Sequence, residues 1–295
     1  MDPTRPGRIA RLADRGVVVV SGEDAQDFLQ NLITADIGQA SGEASAYGAL
    51  LSPQGKILFD FLIYEDGGDY LFDLPRAMAA DFAKRLGFYR LRAEVEIADL
   101  SDSYQVLVAW GGLAAPIHPG VITRDSRLST LGWRIVTDEQ RPVFGRQDAT
   151  DLDYARHRIE LAIPEGGVDF AYGEAYPHEV GMDALGAIDF QKGCYVGQEV
   201  VSRMEHRGSG RRRIVAVTGA RFLPKPGTEI SAGGRILGTL GSSVGNKGVA
   251  LVRLDRAANA RAGGFAISAG DVPLELTIPT WAGIDWPSDT AETPE

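Results

Sequence analysis

Apolar residues along this chain fall into two textures. In the first half, short runs are separated by turn chemistry. VVVV at 17–20 is the β-branched kind of run that a buried strand uses. YGALL, KILFDFLIY and DYLFDL, separated by SPQG and EDGG, read as a meander of three antiparallel strands. Between these, DAQDFLQNLI predicts a helix with Phe28, Leu29, Leu32 and Ile33 on one face, and Ser21 with Asp24 resembles a capping box. A second helix is expected over 75–86, capped by Asp73 with Pro75 near its first turn. RAEVEIADL and YQVLVAW add two strands, so the first half predicts an α+β fold with mostly antiparallel pairing.

From 155 to 208, turn residues and short helices dominate, which is the texture of a site rather than of a core. Beyond 208 come RRIVAVTG, TEISAGG, RILGTLGSSV, GVALVRL and PLELTIP, punctuated by glycine and proline, the pattern of a small all-β barrel. The expected division is therefore an α+β region over 1–208, a barrel over 209–286 and a disordered tail, PSDTAETPE, over 287–295.

Composition narrows the class. The chain has 295 residues, 44% hydrophobic and 24% charged, as in an ordinary globular protein, and no apolar run approaches the roughly 18 residues of a membrane span. The N-terminus lacks an apolar signal region, and a single cysteine cannot form an internal disulfide, so a reducing cytoplasm is expected. Thirty basic against 40 acidic residues, a formal net charge of -10, argue against nucleic acid as a partner. A local exception is the cluster Arg203, Arg207, Arg211, Arg212 and Arg213, which reads either as an anion-facing edge or as a solvated one. No seam demands a dimer, and a monomer is expected.

The one cysteine lies in DFQKGCYVGQEVVSRMEHRG, at 189–208. A thiol becomes useful as a thiolate, which a nearby cation or a helix N-terminus favours. Lys192 supplies the cation, and CYVGQEVVSRM has helical potential that would stack Cys194 with Gln198 and pair Glu199 with Arg203. Residue type alone favours the opposite reading, in which Cys194 is a small buried apolar side chain. His178 and His206 are candidate bases without a spacing rule to select either. With no CxxC, HExxH, Walker A, GxGxxG after a strand or GxSxG, no permanently bound metal and no nucleotide is expected. Asp60 alternates with Leu58 and Leu62, which sets a carboxylate among apolar neighbours, a costly place unless it is paired or ligated. It reads either as an acceptor for the NH-rich edge of a pterin or an amine proton, or as a surface aspartate on an exposed edge.

KGCYVGQE at 192–199 resembles the signature of the YgfZ-like folate-binding proteins, relatives of the glycine cleavage T protein (aminomethyltransferase) that include mitochondrial iron–sulfur assembly factors. VVVVSGEDAQDFLQNLITADI, ALLSPQGKILFDFLIY, FYRLRAEVEIADLS, YPHEVGMDALGAIDF and GTLGSSVGNKGVALVRLDRA extend the likeness over about 15–279. The resemblance implies a GcvT-like N-terminal part of intertwined ferredoxin-like subdomains, then a small C-terminal β-barrel, around an opening that holds tetrahydrofolate or a derivative. It implies an accessory role in assembly or repair of 4Fe–4S clusters, with iron–sulfur assembly proteins and 4Fe–4S client enzymes as partners and Cys194 as an essential thiol in transient contact with a cluster. Lys192, Gly193, Tyr195, Gly197, Gln198 and Glu199 match the motif, Arg203 the basic residue beyond it, and Pro177 and Glu179 the upstream proline and acid. Asp60 matches the T-protein strand that presents its functional aspartate, which keeps a tetrahydrofolate-dependent aminomethyl or other one-carbon transferase as the alternative. Direct tRNA modification rests only on the arginine cluster.

Overall fold

The computed structural model describes residues 7–112, 115–116, 118–138, 149–207 and 211–287, with the side chain of Arg207 left aside. Apart from Pro287, the expected tail lies outside the described residues. The chain forms two compact units, Met1–Tyr154 with Leu185–Gln198, and Ala155–Ala184 with Glu199–Glu295.

The first unit is built on two antiparallel sheets. Its strands are β1 (Arg8–Arg11), β2 (Arg15–Ser21), β3 (Ala46–Leu51), β4 (Ile57–Asp66), β5 (Asp69–Pro75), β6 (Glu96–Asp99), β7 (Tyr104–Trp110), β8 (Val121–Arg124) and β9 (Trp133–Asp138). They order as β3-β4-β5-β2-β6 and β1-β7-β9-β8. The predicted meander is present as β3, β4 and β5, with Ala49 opposite Asp60 and Leu62 opposite Asp73.

Strand alternation gives the five-stranded sheet two unlike faces. One carries Phe59, Phe61 and Phe72, and helix α2 (Arg76–Tyr89, following α1, Ala25–Gln30) covers it. Phe82 of α2 lies 5.1–5.3 Å, centroid to centroid, from each of those three rings, within the range of favourable tilted contacts. The other face carries Tyr47, Asp60, Tyr64 and Asp73.

Two predicted helix starts differ. Helix α1 ends at Gln30, so Leu32 and Ile33 are buried beyond it rather than within it. Asp24 makes no cap hydrogen bond; its carboxylate accepts from the Glu94 N–H instead. Asp73 is no cap either. Helix α2 starts after Pro75, and Asp73 is a fully buried strand residue.

The second unit takes most of α3 (Asp151–Glu160) and α4 (Gln198–Arg207), and a closed barrel follows. Its strands are β10 (Arg212–Gly219), β11 (Glu229–Ala232), β12 (Arg235–Val244), β13 (Lys247–Arg253), β14 (Ile267–Ala269) and β15 (Val272–Thr277), in the order β10-β13-β12-β11-β14-β15. Closure leaves no open sheet edge. Val215, Val217, Ile230, Leu240, Val252 and Leu276 fill it, and Leu254 and Ala257 of α5 (Leu254–Ala262) join that core. Asp169, buried at 5% exposure, accepts from Arg158, from the Glu165 N–H and from both the N–H and hydroxyl of Ser242. Strand β14 and helix α5 had no counterpart in the sequence reading. Among the described residues, no helix is long and apolar enough to cross a membrane.

Candidate functional site

The motif segment belongs to the first unit up to Gln198, and its backbone is tied down on both sides of the cysteine. Upstream, the Asp189 N–H donates to the Thr34 carbonyl at 3.0 Å, and the Thr34 hydroxyl donates to Ala187 O at 2.6 Å. The Asp189 carboxylate then accepts from the N–H groups of Gln191 and Lys192, which turns the chain toward the cysteine.

Lys192 does not spend its charge on the thiol. Its Nζ donates to the carbonyls of Ile33 and Ala35 at 2.9 and 2.5 Å and lies 5.6 Å from the Tyr195 ring centroid. Burial lowers its pKa to about 8, with Asp36 and Asp189 working the other way. Tyr195 is buried, and that burial, with Asp189, raises its phenol to about 12.

Downstream, Gly197 has a positive φ of 84°, and a Cβ there would come within 2.6 Å of the Ser52 carbonyl in the β3–β4 turn. Only glycine meets both demands without strain. Helix α4 consequently begins at Gln198, four residues after the cysteine, and the expected stacking of Cys194 on Gln198 along one helix face does not occur. Cys194 is exposed, contrary to the usual burial of a free cysteine, because the anchored neighbours hold it on a short loop. Gly193 differs from Gly197: among the described residues, a Cβ added there meets nothing within 4 Å, so the position next to the cysteine is open.

The remaining motif residues belong to the second unit. Glu199 and Arg203 form the predicted i,i+4 pair at 2.7 Å, with both side chains mostly exposed. Glu179 caps its own short 3-10 helix (Pro177–Val180) by accepting from the Tyr176 N–H, and it receives Arg212 through two bonds of 2.8 Å. Arg203 and Arg212 of the arginine cluster are therefore engaged in internal ion pairs. Arg213 donates to the Arg212 carbonyl.

Asp60 lies half-buried on β4, on the face away from the phenylalanine core, and accepts from the Tyr47 hydroxyl at 3.1 Å. Tyr47 begins a chain of ionic contacts that the sequence reading missed. Arg127 lies 5.6 Å from the Tyr47 ring centroid and grips Asp125 through two bonds of 2.7 and 2.9 Å. Arg134 joins Asp125 at 3.2 Å to Asp73 at 3.1 Å. Arg15 closes the series on Asp73 at 2.6 Å, beside the Tyr64 hydroxyl.

Two buried carboxylates, Asp73 and Asp125, are thus each held by two of three guanidiniums, the pairing that such burial requires. Burial pushes Asp125 up, but Arg127 and Arg134 overcome it and hold its pKa at about 2. Burial and then Asp60 push the Tyr47 phenol well above its usual value, so it stays a proton donor to Asp60. Charged residues within the apolar strands WRIVTD and DYLFDL were the available signal; their partners lie 61 residues apart in sequence and could not be paired from it.

Comparison with known proteins gives this arrangement its family. Residues 12–140 match the family described as GCVT N-terminal domain, and residues 211–284 that described as CAF17, C-terminal beta-barrel domain. The fold is similar to glycine cleavage system aminomethyltransferase T from Bartonella henselae, with a TM-score of 0.66 over 95% of this chain and 87% of that one. At 13% identity this likeness establishes a GcvT-like fold alone.

Similar curated proteins include the iron-sulfur cluster assembly factor IBA57 homologue, mitochondrial, of Chaetomium globosum, 32% identical over 85% of this chain and 72% of the relative. The corresponding protein of Pyricularia oryzae is 34% identical over 83% and 71%, and that of Homo sapiens 28% over 97% and 88%. All three carry mitochondrial names, which overturns the expected cytoplasmic location. A lone cysteine excludes an internal disulfide, and that fits any reducing compartment, so it never singled out the cytoplasm. Identity at this level over most of both chains shows that the protein belongs to the family of IBA57-type iron-sulfur cluster assembly factors.

Proposed function

We propose that this protein is a YgfZ-like, folate-binding accessory factor in assembly or repair of 4Fe–4S clusters in client enzymes, with Cys194 as its working thiol. The observation that carries the reading is the exposure of Cys194 on a loop anchored on both sides, with open space beside Gly193. Such a loop presents sulfur to a partner or a cluster at little cost in ordering, since Lys192, Asp189 and Gly197 already hold the backbone.

The test is a Cys194→Ala variant in a strain lacking the wild-type protein. Activity of 4Fe–4S enzymes is expected to fall to the level of the deletion while the variant accumulates normally. Full enzyme activity would refute an essential thiol. A Gly193→Val variant sharpens the result: a branched side chain in the open position next to the cysteine should impair the same enzymes without loss of fold.

Folate enters through Asp60. A half-buried carboxylate oriented by a protonated tyrosine suits the NH-rich edge of a pterin, and the donor set fits tetrahydrofolate in that respect. Tetrahydrofolate, when bound, supplies amine nitrogens that carry one-carbon units. Asp60 would hold the pterin or accept a proton at its carboxylate, and Tyr47 would keep that carboxylate aimed.

The same contact favours a second reading, a tetrahydrofolate-dependent aminomethyl or related one-carbon transferase with Asp60 as proton acceptor. Turnover of an amine donor by the purified protein, abolished in Asp60→Asn, would support it. Absence of one-carbon product with tetrahydrofolate and candidate donors would remove it for those donors.

A further inference from the structure

Sequence spacing offers no metal motif, yet the fold assembles a set of ligands from separated positions. Among the described residues, His178, Asp183 and Glu205 are a group whose ligand atoms all lie within 4.8 Å of one another. All three belong to the second unit. His178 is buried in the 3-10 helix, Asp183 follows the left-handed turn at Gly181 and is half-buried, and Glu205 projects from α4 with its side chain 46% exposed.

The spacing suits one ion. His178 Nε2 lies 3.0 Å from Glu205 Oε2. Two neighbouring ligands held about 2.0–2.2 Å from a zinc-sized ion are themselves about 3.0–3.5 Å apart. Asp183 adds an independent sign. It makes no hydrogen bond or ion pair among the described residues, so its carboxylate can take a cation without breaking a contact. Glu179, the other acid of that 3-10 helix, is committed to Arg212 and does not compete.

The donor set is one imidazole and two carboxylates, with no thiolate. That mixture suits a first-row divalent ion of intermediate softness better than calcium, which prefers a shell of six to eight oxygens. Three protein ligands with one at the solvent edge leave coordination positions for water, the arrangement of an exchangeable rather than a structural site.

We propose that His178, Asp183 and Glu205 form an exchangeable binding site for a first-row divalent cation, Zn2+ or Fe2+, made without the motif cysteine. The ion replaces the direct contact of His178 with Glu205 by a bond to each and gives Asp183 its missing partner. Nothing in this assignment depends on the folate or thiol chemistry proposed above.

Cobalt(II) titrated into the full chain carrying Cys194→Ala tests it, since cobalt reports its ligands in the visible spectrum. The expected result is saturation at one equivalent, ligand-field absorption without a sulfur-to-cobalt charge-transfer band, and displacement by Zn2+ but not by Ca2+. Changes to residues that merely support a metal ligand cost about 10–100-fold in affinity, so His178→Gln and Glu205→Gln should each weaken binding at least tenfold. Glu205 lies at the surface, and its variant should keep the metal-free unfolding midpoint of the parent, which separates ligand loss from misfolding. No saturable binding in the Cys194→Ala chain, equal competition by Ca2+, or unchanged affinity in Glu205→Gln would overturn the site.

Discussion

Within the first unit, two polar regions treat charge in opposite ways. Around Asp73, Arg134 and Asp125 the charges are enclosed, matched one against another and joined by short bonds. Along 189–197 the polar side chains bind mostly backbone, and the chain they hold leaves its most reactive atom outside. The first region is intolerant of any missing partner, because a charge buried alone has neither water nor counterion. The second should keep its fold without the thiol but not without the residues that shape the loop. Rigidity and reactivity are therefore assigned to different residues, and variants should separate them.

The largest effect should come from the enclosed region. Arg134→Met leaves Asp73 and Asp125 each short of a cation and should destabilise the protein by about 3–5 kcal/mol in denaturant unfolding. A loss under about 1 kcal/mol would mean that Arg15 and Arg127 suffice on their own, and the contrast between the two regions would weaken.

Next comes the loop's shape. Gly197→Ala forces a side chain into a positive-φ conformation against the Ser52 carbonyl and should cost about 2 kcal/mol. It should also impair cluster-dependent enzymes although the thiol is intact.

The pH response of Lys192 is smaller. Its folded pKa of about 8 lies below the 10.5 of an ordinary lysine, so between these values the folded state loses its proton before the unfolded one. Stability from this group therefore rises with pH across that window and is lost as pH falls through about 8. Unfolding midpoints from pH 7.5 to 10.5 should improve for wild type relative to Lys192→Met, and parallel curves would show that burial does not shift the amine. Smallest of all, Cys194→Ala should change stability by no more than about 0.5 kcal/mol, as expected for an exposed position.

What the sequence made legible follows from how local each signal was. The meander of β3, β4 and β5 could be read because alternation and turn chemistry lie within a few residues, and the barrel strands were legible for the same reason. Asp73 misled because an acid two residues before a proline looks like a cap when its true partners, Arg15 and Arg134, are 58 and 61 positions away. The start of α4 misled because helical propensity in CYVGQEVVSRM is overridden by the left-handed backbone at Gly197, which the β3–β4 turn imposes from 145 residues earlier in the chain. Asp60 was marked by its place in an apolar strand and Cys194 by its type and its lysine neighbour, and resemblance raised both to site candidates. The partners Tyr47 of Asp60 and Thr34 of Asp189 were not legible, since nothing near them in the sequence marks them as partners.

The ties between Thr34 and the segment after Leu185 have a consequence for synthesis. The carbonyls of Ile33 and Ala35 accept from a lysine that lies 159 and 157 residues further on, and the Thr34 hydroxyl donates across 153. On the ribosome, the first 154 residues can gather their sheets but must wait for the segment that completes them. A fragment cut at Tyr154 would therefore lack its last strip of structure, with Thr34 and its neighbours open to whatever backbone is at hand. Dissection of this protein into domains by sequence order would yield a sticky first half, while a fragment that keeps the chain through Gln198 would retain the piece that seals it.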